Sequence, residues 1–238
     1  MICSDLSTSG GRRRTEPHRL RHGLTTLVCA LPPSRLKNQA LRGLGHKVDP
    51  RARIGCVLAI RVNEISVGKN SSIGHLNVFR DLSSLVLGES ATVGQWNWIS
   101  ASAPLVASGA PGLLAMKRHS ALTSRHYLDA SGGIHIGAYT TVAGVRTTIV
   151  THGIDWGEGA QRTSPVTIGD YCMIGSNAIV TPGCTVGDQI VTGMGACLVG
   201  EVTESGALYV SDRASVVRRG LKGKYFERET GFVGVGNP

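Results

Sequence analysis

The segment Thr151-His152-Gly153-Ile154-Asp155 places an imidazole three residues ahead of a carboxylate. An imidazole, with an ordinary pKa near ~6.5, can take a proton from a hydroxyl group close to neutral pH. A carboxylate on its far nitrogen would fix the tautomer. Asp155 is one candidate for that partner and Asp129 is the other. His126 and the run Trp96-Asn97-Trp98 supply further groups that could shape a binding pocket. Cys3, Cys29, Cys56 and Cys197 show no CxxC spacing, so neither a zinc knuckle nor a disulfide framework is suggested, and a reducing cytoplasm fits.

Such groups need a scaffold, and the sequence carries one in a six-residue repeat. Ile168-Gly169, Ile174-Gly175, Val180 and Val186-Gly187 open four consecutive units. Their fifth positions are Cys172, Ala178, Cys184 and Ile190. Six residues are too few for a helix and a turn but suit a short strand and a bend. Strand side chains alternate, so the first and fifth positions share a face, and that face collects the apolar residues and must be the interior. Three units would close a triangular coil of about 18 residues, with stacked coils pairing at ~4.8 Å. The pattern also appears at Val48, Ile54, Val67-Gly68, Ile73-Gly74, Leu87-Gly88, Val93-Gly94, Ile136-Gly137 and Val142. Asn77 and Asn97 fall on fifth positions, where they could stack as an inward hydrogen-bonding ladder. The reading is an all-β solenoid with its helix and its tails at the ends.

The register breaks from about Ala103 to Arg125 and from about Val150 to Pro165. Long breaks in a solenoid are projecting loops, the usual carriers of function. His152 lies in the second break. Its plain alternative is a solvated loop histidine.

Composition agrees with a narrow core: 41% hydrophobic residues but only 5% aromatics, and 32 Gly, including those at the second position of the repeat. The net charge of +9 is uneven. Residues 1–49 carry nine Lys/Arg against three Asp/Glu, and residues 213–228 carry six against one, so the basic character belongs to the ends. No aromatic interleaving or nucleic-acid motif accompanies it, which favours a phosphorylated cofactor or a membrane surface over nucleic acid. No apolar run approaches the ~18 residues of a membrane span. Residues 1–20 are expected to be disordered or to reflect a misassigned start site. A helix is expected from Ser34 to Leu44, capped by Ser34, with Leu36, Ala40, Leu41 and Leu44 as its apolar stripe, closing the open end of the solenoid. The expected division is an arm and capping helix at 1–47, a β-helix at 48–210 and a basic tail at 211–238.

These repeats resemble the hexapeptide-repeat acyltransferases, whose fold is a left-handed parallel β-helix. The His152 segment followed by Pro165-Val166-Thr167-Ile168-Gly169-Asp170-Tyr171-Cys172 looks like the active-site segment of the branch that O-acetylates sugars and polysaccharide precursors. Thr123-Ser124-Arg125-His126 through Asp129 to Gly133, and Gln95 to Ser100, are similar to that branch as well. The resemblance implies a homotrimer, acetyl-CoA in a groove between subunits as the acyl donor, His152 as general base, no metal and no covalent acyl-enzyme. Asp155 or Asp129 would orient the ring, and His126, Asn97 and Trp98 would stand near the acceptor, although Trp96 and Trp98 could instead pack at the trimer interface. It puts the donor along the last coils, at Ser176, Met194 and Gly195. Two departures fall where relatives grip CoA phosphates, since Gly200 and Ser215 stand in place of basic residues. Arg213, Arg218 and Arg219 could substitute. Two other readings stay open. His119, His135 and His152 are spaced about one coil apart, as in a β-helix zinc carbonic anhydrase, whose zinc would need three such ligands. A catalytically inactive trimeric scaffold is the other.

Overall fold

The computed structural model describes residues 16–211 except Trp156. From Lys47 to Tyr209 the chain winds through three parallel sheets of eight, eight and seven strands, visiting each face in turn. Strand register stacks the opening residues of the repeat into columns. The first face aligns Val48, Val67, Leu87, Met116, Ile136, Ile168, Val186 and Val202. The third aligns Ala59, Phe79, Ile99, Leu128, Ile149, Val180 and Leu198. All of these are buried, as are Cys172, Ala178 and Cys184.

The ladder is present and longer than the two asparagines. Asn97 donates from its backbone N (2.8 Å) and from Nδ2 (3.0 Å) to Asn77 Oδ1. Its own Oδ1 accepts from the backbone N of His126 (2.9 Å), and His126 Nδ1 accepts from that of Thr147 (3.1 Å). Each side chain satisfies a backbone donor of the next coil, which lets a polar residue sit inside a narrow core.

Coil length departs from the uniform 18. The interval Ile168 to Val186 has that length, but Val67 aligns with Leu87, 20 residues on. The two extra residues enter at the corner between the third face and the first, at Arg61–Val62 and Asp81–Leu82. Val62 and Leu82 point inward there, each 1% exposed. Both longer insertions leave from the same corner. The first is shorter than expected: a five-residue helix, Ala103–Ala107, is followed by in-register strands Leu113–Met116 and Ala121–Leu122. Met116 and Leu122 hold opening positions there, but Lys117 and Thr123 follow them in place of Gly, which hides the register in the sequence. The second is a hairpin of His152–Asp155 against Ala160–Thr163.

Two helices close the N-terminal end. Helix α1 spans Glu16–Ala30, so residues 16–20 are helical and not the disordered segment expected. Helix α2 spans Arg35–Gly43, with Ser34 Oγ accepting from Lys37 N at 3.1 Å. The expected apolar stripe holds at Leu41 but not at Leu36 and Ala40, which are exposed, and the helix turns Lys37 and Asn38 inward beside Leu41. Lys37 Nζ donates to the carbonyls of Cys29 (2.7 Å), Leu31 (2.8 Å) and Gly55 (2.7 Å), and Asn38 Nδ2 donates to that of Ala52 (2.7 Å). The open end of a solenoid presents unpaired carbonyls, which call for donors more than for methyl groups.

Candidate active site

Asp129 ends the third-face strand Tyr127–Asp129, and His152 begins the hairpin at the same corner one coil later. Gly132 allows the close approach. A Cβ there would stand 2.7 Å from Thr151 O and 2.9 Å from Ser164 O. Its own N–H donates to Thr151 Oγ1 at 2.8 Å.

The Asp129 carboxylate is buried and fully engaged. Oδ1 accepts from Ser131 N (3.2 Å) and Ser131 Oγ (2.5 Å). Oδ2 accepts from Thr151 N (2.8 Å) and His152 N (3.0 Å), while the Thr151 hydroxyl donates to the Asp129 backbone carbonyl at 2.7 Å and lies 3.1 Å from Oδ2. His152 Nδ1 lies 2.7 Å from the same oxygen. Burial pushes the Asp129 carboxyl up, but the hydrogen bonds from Ser131, His152 and Thr151 outweigh it and hold the group below the usual carboxylate range. An ionised carboxylate can only accept, so the proton of a neutral His152 sits on Nδ1 and Nε2 carries the lone pair. A third of the His152 side chain is exposed. It opens, with Asp129, Arg80, Asp81, Ser100, Pro104 and Tyr127, onto a cavity of about 390 Å³. The arrangement is a polarised imidazole beside a substrate-sized cavity, equipped to remove a proton.

Asp155, the other candidate for orienting the ring, is committed elsewhere. It accepts from the backbone N of Gly157 (3.0 Å) and Glu158 (3.2 Å) and from Arg162 Nε (3.2 Å), which shapes the hairpin tip. His126 and Asn97 do not line the cavity as expected, because both sit inside the coil as ladder members, at 2% and 1% exposure. His126 also pairs with Thr123 Oγ1 at 2.8 Å, and burial pushes its pKa down to about 4. Trp98 is exposed on the outer side of the third face and lines, with Trp96, Leu58 and Val78, a separate apolar groove of about 480 Å³.

Ser176, Met194 and Gly195 come together at the corner where the third face begins. Gly195 N donates to Ser176 O at 2.9 Å, and Ser176 Oγ accepts from Val145 N at 3.3 Å. Met194 is 82% exposed, and nothing lies within 4 Å of where a Gly195 Cβ would stand. Arg213, Arg218, Arg219 and Ser215 lie outside the described residues. Gly200 is exposed. His119 stacks on Tyr139 at 4.8 Å, and His135 lies exposed on the first face. Among the described residues no three His, Cys, Asp or Glu side chains come together as a metal-binding set. No helix among them is long and apolar enough to cross a membrane.

Sequence reasoning missed Arg61, Arg80, Asp81, Ser131 and Thr151. Arg61 and Asp81 were legible in principle as opposite charges one 20-residue coil apart at the same corner.

No family model matches the sequence, and no curated protein does. Solved structures do. AntD, an N-acyltransferase from Bacillus cereus solved with dTDP-4-amino-4,6-dideoxyglucose and coenzyme A, is 17% identical, with a TM-score of 0.51 over 68% of this chain and 86% of its own. A maltose O-acetyltransferase from Clostridium difficile is 16% identical, with a TM-score of 0.39 over 83% of this chain and 84% of its own. The likeness to AntD shows a shared fold, the left-handed parallel β-helix built of hexapeptide repeats.

Proposed function

We propose that the protein moves an acyl group from a CoA thioester to a hydroxyl of a sugar or related small acceptor. The observation that carries this reading is the His152 Nδ1–Asp129 Oδ2 contact of 2.7 Å at the mouth of a 390 Å³ cavity on this solenoid. Nε2 of His152 takes the acceptor's proton, and Asp129 holds the tautomer and stabilises the imidazolium that forms. The thioester, when bound, supplies the electrophilic acyl carbon. The open corner at Ser176, Met194 and Gly195 fits an extended donor arm, with Met194 offering apolar surface and the turn backbone offering polar groups. Arg213, Arg218 and Arg219 are the cations proposed to meet CoA phosphates in place of the residues missing at Gly200 and Ser215.

The apolar groove at Leu58, Val78, Trp96 and Trp98 supports a second use of the surface, as a wall of a homotrimer, to which sedimentation would give three times the 25.0 kDa chain mass. The enzymatic test is thiol release from acetyl-CoA over a panel of sugars, nucleotide sugars and small alcohols. His152→Ala should lower kcat by about 10²–10⁴-fold with donor affinity little changed. A His152→Ala protein as active as the parent would defeat the mechanism.

A further inference from the structure

Arg80 and Asp81 line the cavity that holds His152 and Asp129. Register sets Arg80 beside Ser100 and Ser100 beside Asp129 on the third face. Neighbouring strands lie ~4.8 Å apart, so the Arg80 and Asp129 backbones stand about 10 Å from one another. Asp81 sits at the corner with a left-handed backbone, φ 59°, and is 4% exposed. Its carboxylate accepts Arg61 Nε at 2.5 Å and Arg61 Nη2 at 2.8 Å, and Arg80 Nε at 3.0 Å. Burial alone would raise the Asp81 pKa, but the two guanidinium groups hold it below the usual range.

Two cations against one carboxylate leave an unbalanced positive charge on this wall. Arg61 is spent in a bidentate pair with Asp81. Arg80 is held by Nε alone, and its Nη1 and Nη2 have no protein partner among the described residues. An arginine fixed at Nε with both terminal amines open is a fork for two oxygens of one anion. A neutral sugar makes no such demand. The Asp129 carboxylate does not occupy the fork, because it is hydrogen-bonded to Ser131, Thr151 and His152 and not to Arg80.

We infer that the acceptor carries an anionic group, a carboxylate or a phosphate, which Arg80 grips while an acceptor hydroxyl meets Nε2 of His152. The inference rests on the acyl-transfer reading above. Arg80 and His152 line the same cavity, so one sugar unit or two neighbouring ones can offer an anion to the first and a hydroxyl to the second. Asp81 is a positioning residue that presents the fork.

The test pairs galactose and glucose with their uronic acids and 1-phosphates, in two assays. Calorimetric binding without donor should show the acidic sugars binding more tightly than the neutral ones, and thiol release with acetyl-CoA should show the same preference in kcat/KM. Loss of a charge-assisted contact predicts a fall of roughly 10- to 100-fold for acidic acceptors in Arg80→Gln. Arg80→Lys should retain part of the preference, and the KM for acetyl-CoA should not move. The uronic acid and phosphate arms tell carboxylate from phosphate. Thermal melts control for folding, with Arg61 still pairing Asp81 in both variants. Failure of every acidic sugar to bind, equal use of neutral and acidic acceptors, or an Arg80→Gln effect confined to the acetyl-CoA KM would each overturn the inference. Arg80-dependent binding of acidic sugars without thiol release would instead sink the acyl-transfer reading and leave the anion site standing.

Discussion

Asp129→Asn separates the two candidate partners of His152 and its effect can be worked from the contacts. The native carboxylate accepts from five donors, and an asparagine must put an NH₂ where one oxygen stood. Facing His152, that NH₂ would meet the fixed N–H groups of Thr151 and His152. Facing Ser131 it meets one fixed N–H and a hydroxyl that can turn to accept, so the second pose wins. His152 then keeps an acceptor, but a neutral one. A neutral hydrogen bond is about half as strong as a charged one, a loss of about 1–2 kcal/mol. The imidazolium formed during proton transfer also loses a counter-charge, worth ~4 kcal/mol at 4 Å for an effective dielectric near ~20 and partly offset by solvent at this partly exposed ring. A net ~2–3 kcal/mol in the transition state corresponds to a fall in kcat of roughly 30- to 200-fold. Asp155→Asn, at the exposed hairpin tip, should cost less than about threefold. The assay is acetyl-CoA thiol release at saturating donor and acceptor, with circular-dichroism melts alongside. An Asp129→Asn enzyme within threefold of the parent, or a larger loss in Asp155→Asn, would refute the assignment of Asp129.

Gly132→Ala drives a Cβ to 2.7 Å from Thr151 O and should lower kcat about tenfold by displacing His152, whereas Gly153→Ala, with nothing within 4 Å, should be silent. Equal kinetics in the two variants would show that the approach at Gly132 does not position the site. Lys37→Met strips the donor from three carbonyls and should cost about 2–4 kcal/mol, read as a melting point lower by roughly 5–15 °C. Burial pushes both His46 and His126 down to about 4, with the charge of Arg21 adding to the fall at His46. Between the ordinary value near ~6.5 and about 4, the unfolded chain therefore binds protons that the folded chain refuses. Stability is complete above ~6.5 and falls as pH drops through that window, by at most about 1.4 kcal/mol per pH unit for each ring. Melts at pH 7.5, 6 and 5 should show the decline, and His126→Asn, which keeps an amide in the ladder, should reduce its slope by about half. A melting point flat across this range would contradict the burial argument.

The solenoid was legible because a six-residue period is a local signal. It sets which side chains face inward without reference to anything distant. The Asn77–Asn97 pair was legible for the same reason, both falling on a fifth position. His126 occupies the same column, but the unequal coils between 97 and 126 conceal it, so a ladder rung read as a pocket residue. The capping helix was placed correctly, but its buried face was not. Amphipathic patterning assumes an apolar partner surface, and the end of a β-helix is a surface of carbonyls that selects Lys37 and Asn38.

The sequence by itself determined the repeat, the inward columns and the position of His152 beside a register break. Only the tertiary structure decided which carboxylate meets the imidazole. Asp155 is three residues from His152 along the chain, yet the hairpin turns it away to its own tip. Asp129 is 23 residues away and in hydrogen-bond contact, because stacking brings consecutive coils to one strand spacing at a shared corner. The same stacking gathers Arg61, Asp81 and Arg80 from successive coils into one cluster. Neighbourhood across a solenoid is set by coil length, and where insertions make coils unequal, only the folded chain shows which residues share a corner.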